Sequence, residues 1–210
     1  MMFKIFVFSV FQVNTIVLYD ETGDCVIIDP ACSKVSEQET LTQWIRESNL
    51  TPTEVWVTHP HVDHVFGVEY ICKTWQIPLV MHPEAEALYH TVPGYAPMYG
   101  ITDFKCIEIS KTYNDGDLKK VGHQTFEVLY VPGHADGSVC FYNKENNILF
   151  TGDVLFKEGI GRTDLPTGNY KKLIENITKK ILPLPDNTTV VPGHGAFTTV
   201  GHEKKENPYF

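Results

Sequence analysis

The 210-residue chain has no C-x-x-C pair, no basic run longer than Lys-Lys, no low-complexity linker and only two arginines, Arg46 and Arg162, against fifteen lysines. Nor does any apolar stretch approach the roughly 20 residues that span a bilayer, so no membrane partner is expected. Each absence excludes something. The cysteines, Cys25, Cys32, Cys72, Cys106 and Cys140, are scattered and odd in number; they read as reduced core residues of a cytoplasmic protein, not as a disulfide framework. Seventeen basic against twenty-six acidic residues leave a net charge of -9, which argues against nucleic acid as a partner. The apolar start, Met1 to Val13, carries one lysine and lacks a small-residue cleavage site. Its alternation reads as a strand, not as a signal sequence.

What the chain does have is a concentration of imidazoles. Thr58-His59-Pro60-His61-Val62-Asp63-His64 places three histidines and an aspartate within six residues, a density that points to metal ligands. Thr53 to Val57 upstream is β-branched and aromatic and reads as a buried strand. Downstream, Val68, Ile71, Cys72 and Trp75 recur at helical spacing, so a helix is expected over 65–75. His59 and His61 are two apart and project to one side of an extended segment, while Asp63 and His64 diverge as the chain turns. One ion can take the first pair and a neighbouring ion the second.

Residues 1–210 suit one domain, since a single core stays efficient up to about 250 residues. Strands are expected at 2–9, 13–19 and 24–29, followed by a helix from about Ser36, with Ser36-x-x-Glu39 as its capping box and Leu41, Trp44 and Ile45 facing inward. A strand at 79–81 and a helix over 83–90 precede Thr91 to Asp103. That irregular loop, with Tyr95 and Tyr99, is either a substrate wall or a packing flap. Strands at 106–109, 124–131, 138–142 and 148–151, a helix over 170–180, a strand ending at Val191 and a short polar helix complete a layered α/β alternation. There is also an internal echo: Val131-Pro132-Gly133-His134 recurs as Val191-Pro192-Gly193-His194. In both, proline closes an apolar strand, glycine permits positive φ and close backbone approach, and a histidine follows. Two strand ends that deliver a histidine in the same way are expected to converge on one object. Asp153, in Thr151-Gly152-Asp153, stands at another such end.

Together His59, His61, His64, His134, His194, Asp63 and Asp153 supply seven donors, all nitrogen or oxygen. That number suits two ions, zinc in first place, with iron or manganese also accommodated; the lack of thiolate points to a catalytic site with a position open to water. In combination and in order, these motifs resemble the metallo-β-lactamase superfamily. The resemblance implies a four-layer αββα sandwich with the metals at one edge. It implies His59, His61 and His134 on the first ion, Asp63, His64 and His194 on the second, and Asp153 bridging. Within that superfamily, true β-lactamases generally lack the bridging aspartate, flavodiiron proteins carry Glu where His61 stands, and the nucleic-acid-processing branches bring extra domains or basic exosites. Gly161-Arg162-Thr163-Asp164-Leu165-Pro166 and the ending Thr198 to Pro208 are similar to short glyoxalase-II-like hydrolases. The chain ends where full-length glyoxalase II continues into a helical glutathione-binding domain, so tight glutathione recognition is not expected.

The implied activity is hydrolysis of a small-molecule thioester such as S-lactoylglutathione. A hydroxide held between two zinc ions would attack the carbonyl, with Asp63 orienting it and taking its proton. A leaving thiolate with a pKa of about 8.5 needs no dedicated acid. Arg162 is either a fork for a substrate carboxylate or a partner of Asp164 that fixes its own loop; Tyr95 and Tyr99 are candidate substrate contacts. His82, His90, His123 and His202 are assigned surface or supporting roles, and Asn14 is placed near the site. Three other readings stay open: a mononuclear iron persulfide dioxygenase using His59, His134 and Asp153, a lactonase, and a metal-binding module without turnover.

Overall fold

The computed structural model describes residues 1–210. The first half runs β1 (Met2–Phe8), β2 (Val13–Tyr19), β3 (Asp24–Ile28), α1 (Val35–Glu47), β4 (Thr51–Trp56), α2 (Val62–Val65), α3 (Val68–Trp75), β5 (Leu79–Met81), α4 (Glu86–Tyr89), α5 (Val92–Tyr95) and β6 (Ile109–Thr112). The second runs β7 (Leu118–Val121), β8 (Gln124–Tyr130), β9 (Val139–Asn143), β10 (Ile148–Gly152), β11 (Leu155–Phe156), β12 (Gly159–Ile160), α6 (Tyr170–Asn176), β13 (Thr189–Pro192), β14 (Thr198–Thr199) and α7 (Val200–Glu206). β1 to β6 form one six-stranded sheet in sequential order, a second has the order β14-β13-β10-β9-β8-β7, and β11 and β12 make a small separate hairpin.

Strand alternation builds the layers. On one face of the first sheet Val17, Cys25, Ile27, Val55 and Leu79 pack on Leu41, Ile45, Val68 and Ile71 of α1 and α3. The opposite face, Ile16, Leu18, Val26, Ile28, Trp56 and Val80, meets Phe126, Val128, Phe141, Phe150 and Val191 of the second sheet. The outer face of that sheet, Leu129, Cys140, Leu149 and Val190, is covered by Leu173, Ile177 and Ile181 of α6 and its continuation. Successive side chains thus fill successive cores, giving the αββα sandwich. No helix is long and apolar enough to cross a membrane.

Several element expectations need correction. α1 is capped by Glu37, whose carboxylate accepts from the N–H groups of Ser9, Ser33 and Lys34; the Ser36/Glu39 box does not form. The helix expected over 65–75 is split, because Gly67 N–H donates to Pro30 O at 2.7 Å and leaves the helical ladder. Residues 106–107 are not strand: Tyr89 holds them through its carbonyl and hydroxyl, so pairing with β5 begins only at Ile109. The loop from Thr91 to Asp103 contains α5 and a 3₁₀ turn over Ala96–Tyr99. The helix expected over 170–180 passes into a π turn at Ile177–Ile181. The strands β7, β11, β12 and β14 were not expected.

Candidate metal centre

Each supporting or donor segment starts where a strand ends. β3 leads to Asp29, β4 to Thr58 and His59, β8 to His134, β10 to Asp153 and β13 to His194. β3 and β4 run parallel, as do β10 and β13, and β8 shares their direction through β9. Their C-terminal ends therefore gather at one edge of the sandwich. Two backbone bonds lock the sheets together there: Val139 N–H donates to Thr58 O at 2.9 Å and Asn14 N–H to Gly193 O at 2.7 Å. Asn14 Nδ2 also donates to Pro192 O at 2.9 Å and Gly195 O at 3.2 Å, bracing the turn that carries His194. Close approach explains both Pro-Gly-His turns. Gly133 has φ +134° and abuts the Leu173 backbone, whereas Gly193 needs no positive φ, contrary to expectation; a Cβ there would collide with Asp153 Oδ1 and His64.

All seven expected donor residues meet. His59, His61 and His134 form one triad and Asp63, His64 and His194 another, the donor atoms within each lying no more than 4.8 Å apart. Asp153 lies between the triads. Its Oδ2 is 3.8 Å from His134 Nε2 and 3.4 Å from His194 Nε2, and its Oδ1 is 3.3 Å from His64 Nε2.

Most of the other ring nitrogens are already engaged. Nδ1–H of His134 donates to Arg162 O at 2.8 Å, that of His194 to Phe11 O at 2.9 Å and that of His64 to Asp29 Oδ2 at 2.9 Å. His59 Nδ1–H donates to Thr58 Oγ1 at 3.1 Å, and the Thr58 hydroxyl donates in turn to Asp29 Oδ2 at 2.6 Å. These bonds leave an Nε2 lone pair on each ring facing the centre. His59 and His134 then oppose each other across 3.2 Å and His64 and His194 across 3.3 Å. Lone pairs so placed repel unless a cation lies among them. Asp153 Oδ1, buried and without a hydrogen-bond partner, makes the same demand. The donor set therefore fits divalent metal ions, and its hardness suits zinc, iron or manganese.

The charges say the same. Burial and neighbouring imidazoles keep His59 well below its ordinary pKa and push His61 down to about 3. Burial also opposes charge on His64 and His194, but the carboxylates of Asp153 and Asp63 outweigh it, holding His64 well above its usual value and raising His194 to about 9. Burial would lift Asp63 and Asp153, yet His64 and His194 hold both below the usual carboxylate range. Without metal, protons supply the positive charge that the centre requires.

Five of these donors, His61, Asp63, His134, Asp153 and His194, floor a cavity of about 1000 Å³. On one side Leu88, Tyr95 and Tyr99 face it; on the other stand Phe156 and Ile160 of the β11–β12 hairpin and Leu165. The segment after Thr91 is therefore both of the things expected of it, since Val92 and Ala96 are buried in the core while its tyrosines line the cavity. Arg162 stands at the rim, where its Nε and Nη2 bond both oxygens of Asp164 at 2.8 and 2.7 Å. Of its two expected roles, the loop-fixing pair is the one formed. His82, His90, His123 and His202 all lie outside the cavity lining.

The model of the metallo-beta-lactamase superfamily matches residues 9–194. The chain belongs to this superfamily. Over 203 residues it is 36% identical to the hydroxyacylglutathione hydrolase GloC of Haemophilus influenzae, covering 96% of this chain and 94% of that one. Its fold aligns with the crystal structure of the BLEG-1 B3 metallo-beta-lactamase at a TM-score of 0.89, with 36% identity and 99% of each chain covered. It aligns with TTHA1623 in a di-iron-bound form at 0.88, with 33% identity, 99% of this chain and 100% of that one. Family and donor geometry together make the chain a metallo-hydrolase of that superfamily.

Two features of this superfamily member were not identified from sequence. Asp29 accepts from Thr58 N–H at 2.7 Å as well as from the Thr58 hydroxyl and His64, so one buried carboxylate orients two rings. Although Asp29 lies within 4.8 Å of His59 and His64 donor atoms, its oxygens are already occupied by these donors, which makes it a support. The second is Glu203, fully buried, whose carboxylate accepts from Glu158 N–H at 2.9 Å, Asn207 Nδ2 at 2.7 Å and the Thr198 hydroxyl. That clamp ties the β11–β12 hairpin to α7.

Proposed function

We propose that this chain hydrolyses a small-molecule thioester at a pair of divalent metal ions, zinc in first place. The observation that carries the reading is the convergence of seven nitrogen and oxygen donor residues on Asp153, whose buried Oδ1 lacks a partner, at the floor of an open cavity. Metal bound there would lower the pKa of water from 15.7 to about 7 and polarise an acyl carbonyl. His59, His61 and His134 would hold one ion, Asp63, His64 and His194 the other, and Asp153 both. The protein's part is orientation. Arg162 O, Phe11 O, Asp29 and Thr58 fix four imidazoles, and Asp63, which lines the cavity, orients the attacking water and accepts its proton. Similarity to GloC along almost the whole chain supports a thioester, and a thiolate with a pKa of about 8.5 leaves without a general acid. Five free thiols, four of them buried, accord with a reducing compartment such as the cytoplasm.

The test is loss of thioester absorbance when zinc-loaded protein meets S-D-lactoylglutathione, with His59→Ala as blank. Turnover is expected in the parent, lost on chelation, regained with zinc and absent from the variant. No turnover above the variant on this or any simple acyl thioester would refute the reading. The BLEG-1 likeness favours a second one, a β-lactam substrate, so ring opening of a cephalosporin is measured on the same samples; oxygen uptake with a persulfide by iron-loaded protein would mark the dioxygenase alternative.

A further inference from the structure

A thioester has two arms, one on the acyl carbon and one on sulfur. With the carbonyl at the donor floor, the arms must run up the two sides of the cavity, one against Leu88, Tyr95 and Tyr99 and the other against Phe156, Ile160 and Leu165. Neither side presents a free charge. No lysine lines the cavity. Its one cation, Arg162, already gives Nε and Nη2 to Asp164, and the two cavity carboxylates, Asp63 and Asp153, belong to the donor set. A glutathione arm would bring two carboxylates and an ammonium, for which the lining offers no free carboxylate and no second cation, only the remaining guanidinium nitrogen and neutral hydroxyls such as those of Tyr95, Tyr99 and Thr167. At about 1000 Å³ the cavity lies at the top of the range for drug-sized ligands, which leaves room for an acyl arm longer than lactoyl.

Resting on the thioester reading above, we infer that the preferred substrate is a thioester with uncharged, apolar arms, and that glutathione is not the preferred thiol carrier. Water supplies the oxygen of the new C–O bond, the C–S bond breaks, and the products are a carboxylate and a thiol. Selectivity comes from burial: each methylene laid on a wall is removed from water, worth about fourfold in kcat/KM.

The experiment compares acetyl, butanoyl and hexanoyl thioesters of neutral N-acetylcysteamine with the same acyl groups on glutathione, using the zinc-loaded 210-residue protein. On the neutral carrier kcat/KM is expected to rise about fourfold per methylene, to exceed that of the glutathione ester at each length, and to rise less steeply in Tyr99→Ser and Phe156→Ser. Faster turnover on glutathione at equal acyl length, or no dependence on acyl length, overturns the inference while leaving thioester hydrolysis intact. No turnover on either carrier overturns both.

Discussion

Asp29 shows how much of the centre rests on a residue outside every motif. Its two oxygens accept from the Thr58 amide, the Thr58 hydroxyl and His64 Nδ1, and through Thr58 it also reaches His59. Outer carboxylates of this kind set ring orientation and ligand basicity, and losing one typically costs 10–100-fold in metal affinity. Asp29→Asn is therefore expected to weaken zinc binding about 10–100-fold while the fold persists, as read by competition with a chromophoric chelator and by circular dichroism. Unchanged affinity would mean that the Thr58 and His64 contacts are ornamental. The donors themselves were legible because the chemistry needs particular side chains at strand ends, and histidine clusters have few other causes. Asp29 was not, because it reads as the last residue of the strand expected at 24–29, and its partners lie 29 and 35 positions away. The carbonyls of Phe11 and Arg162 were invisible for a different reason: any residue carries one.

At the scale of elements, period-two alternation identified most long strands, and it failed for the two-residue strands β11 and β12, which are too short to have a period. That hairpin nonetheless forms a cavity wall, through Phe156 and Ile160. What holds it is Glu203, together with Asn207, whose Nδ2 donates to Gly159 O at 3.1 Å. The Thr198 to Pro208 ending is thus a clamp, which explains a motif that carries no donor. Glu203→Ala would strand the buried donors of Asn207 and Thr198 and release the Glu158 amide, at a cost of about 2–4 kcal/mol, measurable by urea denaturation. Because the wall moves while the donors stay, KM for the apolar-armed thioesters is expected to rise about tenfold or more, with kcat changing less. A fall in kcat at constant KM would show that the hairpin acts on the centre instead, through the Arg162 carbonyl that accepts from His134.

For the molecule as a whole, function requires that two sheets with separate outer cores keep one edge in register, since His59 to His64 come from the first and His134, Asp153 and His194 from the second. The apolar interior between the sheets is not directional and would tolerate sliding; polar contacts across it would not. Besides the two backbone bonds at the metal edge, Glu54 ties the layers together away from it. Its carboxylate accepts from Trp56 Nε1 at 2.7 Å and Lys111 Nζ at 2.7 Å within the first sheet, and lies 3.0 Å from Lys119 Nζ of β7 in the second. Burial would raise the Glu54 pKa, but these three partners outweigh it and hold the carboxyl below its ordinary value. A folded-state pKa depressed in this way contributes stability above the unfolded value of about 4.5, and that contribution is lost as pH falls through the folded value. Lys111 is half exposed, so solvent discounts its share. Glu54→Ala is expected to cost about 1–2 kcal/mol at pH 7. In urea titrations of metal-free parent and variant, that gap should stay constant from pH 7 to about pH 5 and then narrow with further acidification as the parent's carboxyl takes up its proton. A gap that persists at low pH would assign the loss to packing around Trp56, leaving the register of the sheets to the apolar interior, the two backbone bonds and the other polar contacts across it, those of Asn14 with Pro192 and of Asp20 with His123.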